Sequence, residues 1–339
     1  MINRRDFLLA ASAAPLTLLD GAAAQSRERI WAPPARASLI LKNGPEGVNR
    51  RPKPPLAFLE EDLGGTNPKM KVQDAAGIKW NVKWAEEVHS ETFASRLAAV
   101  AGYFVRTTYY LPTGRITGCH GLTRAGDRID SDGSFESAVF KLIPEDQPYL
   151  ASANWTWGRN PFLSTPEGRR QLNGLKIVLM LTSNWDGKDA SDVDLGPNTA
   201  IYDVRRRGGR EYRYAFDDWG GSMGRWGNPF TRSKWDPAGY AAHSPDFVQG
   251  IDDDGFVRWG YSGVHGDEVK KDIRSSDVAW LLRTMGKIED RHLAAALADA
   301  GAENLEVETF AGAIRARLTQ LEQVAVSPTR QTSVIEPRG

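Results

Sequence analysis

The chain has 339 residues, with 43 Lys and Arg against 43 Asp and Glu, and 41% of its residues are hydrophobic. Domains that bind nucleic-acid phosphates usually carry a basic excess, so the zero net charge argues against a nucleic-acid partner. The single cysteine, Cys119, excludes an intramolecular disulfide and any multi-cysteine metal site. The composition is that of a globular protein long enough for a large core and two subdomains or lobes.

The first 24 residues have the pattern of an export signal. Arg4-Arg5 precedes Phe7-Leu8, an apolar run extends to Leu19, and Ala22-Ala23-Ala24 ends it. This order is typical of a cleavable signal peptide, and its arginine pair resembles the twin-arginine signal. The resemblance implies export of a folded protein to the periplasm by the twin-arginine machinery. The alternative is an uncleaved anchor, although the run is shorter than the roughly 20 residues that a spanning helix needs.

Four segments are predicted after the signal: a Pro- and Arg-rich extended linker (25–55), a β-rich lobe (56–150), a helix-rich lobe (151–325) and a tail (326–339). Helical spacing of apolar residues predicts helices over 86–102, 166–184 and much of 276–324. Strand-like patterns separated by Gly-containing turns fill most of the first lobe. Since no later segment is apolar for long enough, we expect no transmembrane helix in the mature chain.

A strand-like segment at 78–84 carries the first candidate site residue. Period-2 alternation places Lys79, Asn81 and Lys83 on one face and tryptophan and valine side chains on the other. A lysine in such a position, here Lys83, can act as a point charge on the phosphates of a nucleotide. Glu91 follows on the predicted helix, where an ordinary surface glutamate would be solvated.

Two acidic motifs follow apolar segments. Asn184-Trp185-Asp186-Gly187-Lys188-Asp189 comes directly after an apolar helix-like run, and Asp217-Asp218-Trp219-Gly220 comes after a strand-like segment. Aspartates supply the acid–base and metal-binding groups that group-transfer chemistry uses. Because Asp and Gly form polar turns in any fold, each motif alone is also compatible with a plain β-turn.

A mostly β lobe with one helix, then a mostly α lobe, with these motifs in this order, resembles the atypical branches of the protein-kinase-like superfamily over residues 56–324. The resemblance implies an α+β, two-lobed protein-kinase-like fold. It also implies that Glu91 orients Lys83 on the phosphates, that Asp186 accepts the acceptor's proton, and that Lys188 neutralises the transferred group. Asp218 would then hold Mg²⁺.

The chain departs from the superfamily's pattern at three places. No His-Arg pair precedes Asp186, and the position five residues after it is Ser191, so Asn198 would take the second metal role after an inserted acidic loop. Asp217 is an alternative ligand to its neighbour. No Gly-rich loop precedes Lys83. The candidate phosphate-covering turn is Gly64-Gly65-Thr66-Asn67-Pro68-Lys69, with Gly64, Gly65 and Thr66 as its candidate site residues.

These features predict an exported phosphotransferase that uses ATP or another nucleotide with Mg²⁺ and a small-molecule or protein acceptor. Because the periplasm is not supplied with ATP, a non-catalytic binding protein on the same fold stays open as an alternative. An aromatic-rich glycan-binding or glycan-cleaving protein is another, since tryptophan faces stack on sugar rings. Acidic clusters at 189–196 and 252–254 suggest an irregular calcium site, although neither has the EF-hand spacing.

Overall fold

The computed structural model describes residues 27–65, 67–150, 154–207 and 209–326. The predicted signal at 1–24, Thr66 and residues 327–339 of the predicted tail lie outside the described residues. Within the described part of the chain the architecture is α+β, with eight α-helices and ten β-strands. None of the described helices combines the length and the apolar character that crossing a membrane requires.

The segment predicted as an extended linker is folded onto the protein. It contains β1 (Arg27–Arg29) and α1 (Ala37–Asn43), and β1 pairs in parallel with a later strand through residues 211–213. Ile30, Ile40 and Leu41 are buried in the main core. A few apolar side chains give this packing, although the segment is rich in Pro and Arg.

The next part of the chain forms a closed barrel with one helix inserted between its strands. Its elements are β2 (Leu56–Glu61), β3 (Lys69–Gln73), β4 (Lys79–Lys83), α2 (Val88–Val100), β5 (Thr108–Thr117) and β6 (Ser134–Leu142). The strand order is β2-β3-β4-β6-β5, and a parallel pairing of β2 with β5 closes the ring. β4 alternates as predicted, with Trp80 and Val82 in the barrel core and Lys83 on the other face.

The second half of the chain mixes helices with two small sheets. Its elements are α3 (Pro166–Leu181), β7 (Thr199–Arg206), β8 (Gly209–Phe216), α4 (Pro237–Ala242), β9 (Val248–Ile251), β10 (Val257–Trp259), α5 (Gly266–Lys270), α6 (Ser275–Met285), α7 (Asp290–Asp299) and α8 (Asn304–Ala325). One sheet has the order β1-β8-β7 and the other pairs β9 with β10. Thr165 caps the start of α3, because its hydroxyl accepts the Gly168 N–H, and the later turns of α3 are buried in the core.

The prediction of a two-lobed protein-kinase-like fold is wrong, and the α+β class is the part of it that stands. The finding that overturns it is the barrel: because β2 pairs with β5, the five strands form a closed ring in place of the expected β lobe. Strands also recur in the second half, where β1 from the start of the chain joins β8. Periodicity locates strands, but it carries no information on which strands pair across such distances.

The packing of the N-terminal segment predicts a difference between two leucines of α1. Leu41 is 1% exposed and Leu39 is 44% exposed. Leu41→Ala should lower the free energy of unfolding by about 3 kcal/mol, since it leaves a cavity in the core. Leu39→Ala should change it by less than about 0.5 kcal/mol. Urea unfolding of both variants measures the difference, and equal effects would contradict the packing of α1.

Candidate functional site

A cavity of about 490 Å³ is lined by residues from the barrel, from α2 and from loops of the second half. Its volume is in the range of small-molecule sites. Six carboxylates and six cationic side chains line it, so the wall is highly charged but balanced. They are Asp62, Glu87, Glu91, Asp186, Asp217 and Asp218, with Lys69, Lys83, Arg106, Lys141, Lys188 and Lys234.

The described residues of the predicted site all line this one cavity. They are Gly64, Gly65, Lys83, Glu91, Asp186, Lys188, Asn198 and Asp218. Thr66 lies outside the described residues. The turn before β3, strand β4, helix α2 and the loops after α3 and β8 are distant in sequence, and the fold brings them together.

Glu91 and Lys83 form the central ion pair of the cavity. Glu91 is only 1% exposed, so it does not lie on a solvated helix face. Its Oε2 lies 3.5 Å from the Lys83 Nζ, while its Oε1 contacts the Nζ of Lys141 on β6. Burial alone would lower the pKa of Lys83, but the charges of Glu91, Asp218 and Glu87 outweigh it and raise that pKa well above its usual value. Lys83 is therefore a permanent cation.

Glu87, one helical turn before Glu91, is a second carboxylate on Lys83. Its Oε1 contacts the Lys83 Nζ and accepts a 2.8 Å hydrogen bond from the Asn67 side-chain amide, and its Oε2 contacts the Nζ of Lys234. Burial would raise the pKa of Glu87, but the two lysines lower it. Glu87 is therefore an anion that joins three separate segments.

The loop after α3 holds Asp186 from both sides. The Asp186 N–H donates to Asn184 Oδ1 at 3.0 Å, and the Asn198 amide nitrogen donates to the Asp186 carbonyl at 2.6 Å. The Lys188 Nζ lies 3.2 Å from Asp186 Oδ2. A hydrogen bond and an ion pair therefore join Asn198 and Lys188 to Asp186, although Asn198 lies twelve residues further along the chain.

Asp217 and Asp218 have different partners. Arg106 donates to both oxygens of Asp217, at 2.9 and 2.5 Å, so that carboxylate is already paired. Asp218 accepts the Gly220 N–H at 2.9 Å. Burial would raise the pKa of Asp218, but Lys83, Lys141 and the Gly220 N–H lower it far below its usual value. Asp218 is therefore the better candidate for a cation ligand.

Two groups of side chains in the described residues could hold a metal ion. Oxygens of Glu87, Glu91 and Asp218 lie within 4.8 Å of one another in the cavity, and carboxylate oxygens are the ligands that Mg²⁺ prefers. Asp189, His265 and Glu268 form the second group. Asp189 already accepts hydrogen bonds from Trp157 and Ser191, however.

Most tryptophans between residues 155 and 259, on which the glycan alternative depends, lie in the protein core. Six of them are at most 7% exposed and belong to the main hydrophobic cluster, namely Trp155, Trp157, Trp185, Trp219, Trp226 and Trp259. A sugar ring needs an exposed aromatic face to stack on. These six side chains therefore give the glycan alternative no support.

Sequence reasoning missed Glu87, Arg106, Lys141 and Lys234. Lys141 follows three apolar residues of β6, and that isolated charge was a usable signal. It stands opposite Asn81 on β4, a register that only the folded barrel defines. Lys234 lies in an irregular loop, where no local pattern marks it.

Comparison of the chain with protein-family models, with curated proteins and with solved structures found no match. Functional inference therefore depends on the geometry of the cavity.

The Arg106–Asp217 pair predicts an acid-sensitive contribution to stability. Burial would raise the pKa of Asp217, but Arg106 and Lys141 hold it below its usual value, so its stabilisation is present above about pH 4 and is lost as the pH falls. Asp217→Asn should therefore lower the free energy of unfolding by about 2 kcal/mol at pH 7, with a smaller difference from the wild type below pH 4.

Urea unfolding at pH 7 and pH 3 measures both values. Asp253→Asn removes an exposed carboxylate and is the matched control, with no expected change. A difference that stays constant with pH would contradict the ion pair.

Proposed function

We propose that this cavity binds the phosphate groups of a nucleotide together with Mg²⁺ and transfers a phosphoryl group to an acceptor hydroxyl. The observation that carries the proposal is the convergence of Lys83, Asp186 and Asp218, from three separate segments, on one cavity. Phosphoryl transfer depends on positioning and charge stabilisation more than on covalent chemistry by the protein. A cavity lined by many charged groups would supply both.

The balance of charges in the cavity suits a ligand that carries both signs. In the protein alone, lysines such as Lys83 and Lys141 are paired with the carboxylate of Glu91. A magnesium–phosphate ligand can replace these contacts, because phosphate oxygens bind lysines and the metal ion binds carboxylates. An anion or a cation alone would leave part of the wall unpaired, which costs free energy in a buried site.

Asp218 and Asn198 would hold the metal ion. Asp218 is ionised and has one oxygen bonded to Gly220, which leaves the other oxygen for a cation. Asn198 uses its amide nitrogen on the Asp186 carbonyl, and its amide oxygen has the chemistry of a metal ligand. The bound ion would neutralise the charge of the transferred group.

Asp186 would accept the proton of the acceptor hydroxyl. Its backbone is fixed by Asn184 and Asn198, so its carboxylate has a defined position in the cavity. Lys188, 3.2 Å from that carboxylate, would neutralise the phosphoryl group as it moves. Gly64 and Gly65 would cover the phosphates with their turn.

The ion pair between Asp186 and Lys188 favours a second candidate, a non-catalytic ligand-binding protein. While Asp186 Oδ2 is held by the Lys188 ammonium group, that oxygen is not free to accept a proton from an acceptor hydroxyl. We propose that the protein is exported in either case. Because the periplasm is not supplied with ATP, the phosphoryl donor would be a nucleotide bound before export or another phosphoanhydride. Binding assays should therefore include magnesium pyrophosphate beside MgATP.

Ligand binding should raise the thermal stability of the protein. A ligand at 100 times its dissociation constant contributes about 2.7 kcal/mol. We expect this stabilisation with MgATP or magnesium pyrophosphate, and we expect Lys83→Met to remove most of it. Lys79→Met, on the same face of β4 but with an exposed ion pair to Glu145, is the matched control. Absence of a shift with every phosphoanhydride would refute the proposal.

Asp186→Asn should abolish phosphoryl transfer and leave ligand affinity within about twofold, because the amide keeps the shape of the side chain but cannot accept the proton. Transfer of radiolabelled phosphate and calorimetric titration measure the two effects. Asp194→Asn, an exposed change in the same loop, is the control. Equal transfer by Asp186→Asn would remove this residue from the proposed role, and binding without transfer in the wild type would favour the non-catalytic candidate.

A further inference from the structure

The Glu87 carboxylate lies in an arrangement of donors that has the chemistry of a phosphate site. Lys83 on β4, Lys234 in the loop before α4 and Asn67 in the turn before β3 all point their donor groups at it. Two ammonium groups and one amide are a common donor set for phosphate oxygens. In this structure the anion that they hold belongs to the protein itself.

We propose that Lys83, Lys234 and Asn67 form a phosphate subsite whose internal occupant is Glu87, and that a bound phosphate group displaces this carboxylate. The inference rests on the proposed function and assigns Glu87 an autoinhibitory role in it. It also adds Lys234, which no sequence motif marked, and the side-chain amide of Asn67 to the ligand contacts.

The two glutamates on Lys83 differ in a way that makes Glu87 the displaceable one. Glu91 lies within α2, where it is held by Lys83 and by Lys141 from the neighbouring barrel strand. Glu87 precedes the first turn of α2, and its side chain makes no helix-capping hydrogen bond. Rotation of the Glu87 side chain therefore breaks no helix contact, while Glu91 can continue to hold Lys83.

Glu87 also occupies the space beside the candidate metal ligand. A Cβ atom built on Gly220 would lie 2.8 Å from Glu87 Cδ, so the carboxylate packs against the backbone that follows Asp218. Oxygens of Glu87 and Asp218 belong to the same group within 4.8 Å. A phosphate that replaced Glu87 would therefore lie between Lys83 and the proposed metal position.

The contact to Lys234 links this displacement to the segment around Asp186. Ser233, next to Lys234, accepts a 2.8 Å hydrogen bond from the Trp185 indole N–H. Trp185 directly precedes Asp186. Loss of the Glu87 contact would thus leave the Lys234 ammonium group free to bind the phosphate. The hydrogen bond between Ser233 and Trp185 would keep the loop of Lys234 next to Asp186, the proposed base.

Removal of the Glu87 charge should strengthen ligand binding. If the site is open for only a fraction of the time, the apparent dissociation constant exceeds the intrinsic one by the inverse of that fraction. We expect Glu87→Gln to bind MgATP or magnesium pyrophosphate about tenfold more tightly than the wild type. Glu86→Gln removes the same charge from the adjacent exposed position and should leave the affinity unchanged.

Calorimetric titration of the full chain with MgATP and with magnesium pyrophosphate tests the inference. Equal or weaker binding by Glu87→Gln, with wild-type binding that depends on Lys83, overturns the autoinhibitory role and leaves the proposed function intact. Absence of binding in both the wild type and Glu87→Gln refutes both proposals. Binding by Glu87→Gln alone supports both.

A second variant pair tests Lys234 and guards against misfolding. Lys234→Met added to Glu87→Gln should weaken ligand binding at least threefold relative to Glu87→Gln alone. An unchanged affinity would exclude Lys234 from the subsite.

If Glu87→Gln does not fold, Glu87→Asp replaces it, because the shorter carboxylate cannot reach Lys83 and Lys234 together. It should also bind more tightly than the wild type, and unchanged or weaker binding would overturn the inference.

Discussion

The buried carboxylate of Glu91 is the interaction on which the rest of this site depends. A carboxylate at 1% exposure is tolerated only when its charge is compensated, and here two lysines from adjacent barrel strands provide the compensation. The same contacts fix α2 against β4 and β6. One charge cluster therefore joins the helix, the barrel and the cavity wall, and removal of either lysine would leave the buried Glu91 with one of its two cationic partners.

The cavity extends this pattern of compensation to its whole wall. Six carboxylates face six cationic groups, and most of them are already paired in the protein alone. The positive and negative charges of the wall balance each other. The cavity can therefore contain groups with strongly shifted pKa values although the chain has no net charge. A ligand has to replace ion pairs between the wall residues with its own contacts. The cavity would therefore select ligands that offer an anion to the cationic side chains and a cation to the carboxylates.

Part of the site could be predicted because it depends on local sequence patterns. Alternation along β4 correctly separated Lys83 from Trp80, and helical spacing placed Glu91 on α2. Kinase-like order led to Asp186 and Asp218, which do line the same cavity, although the kinase-like fold itself is wrong. The order of the motifs therefore identified residues that line one cavity, although it led to the wrong fold.

The sequence by itself determined many of the helices and strands and their apolar faces, because these follow from periods of 2 and 3.6 residues within short windows. The tertiary structure alone decided that β2 meets β5, that the N-terminal segment packs into the core, and that Glu87, Lys141 and Lys234 join the site. These contacts join residues far apart in the chain, and their geometry depends on the free energy of the whole fold. No local pattern contains that information.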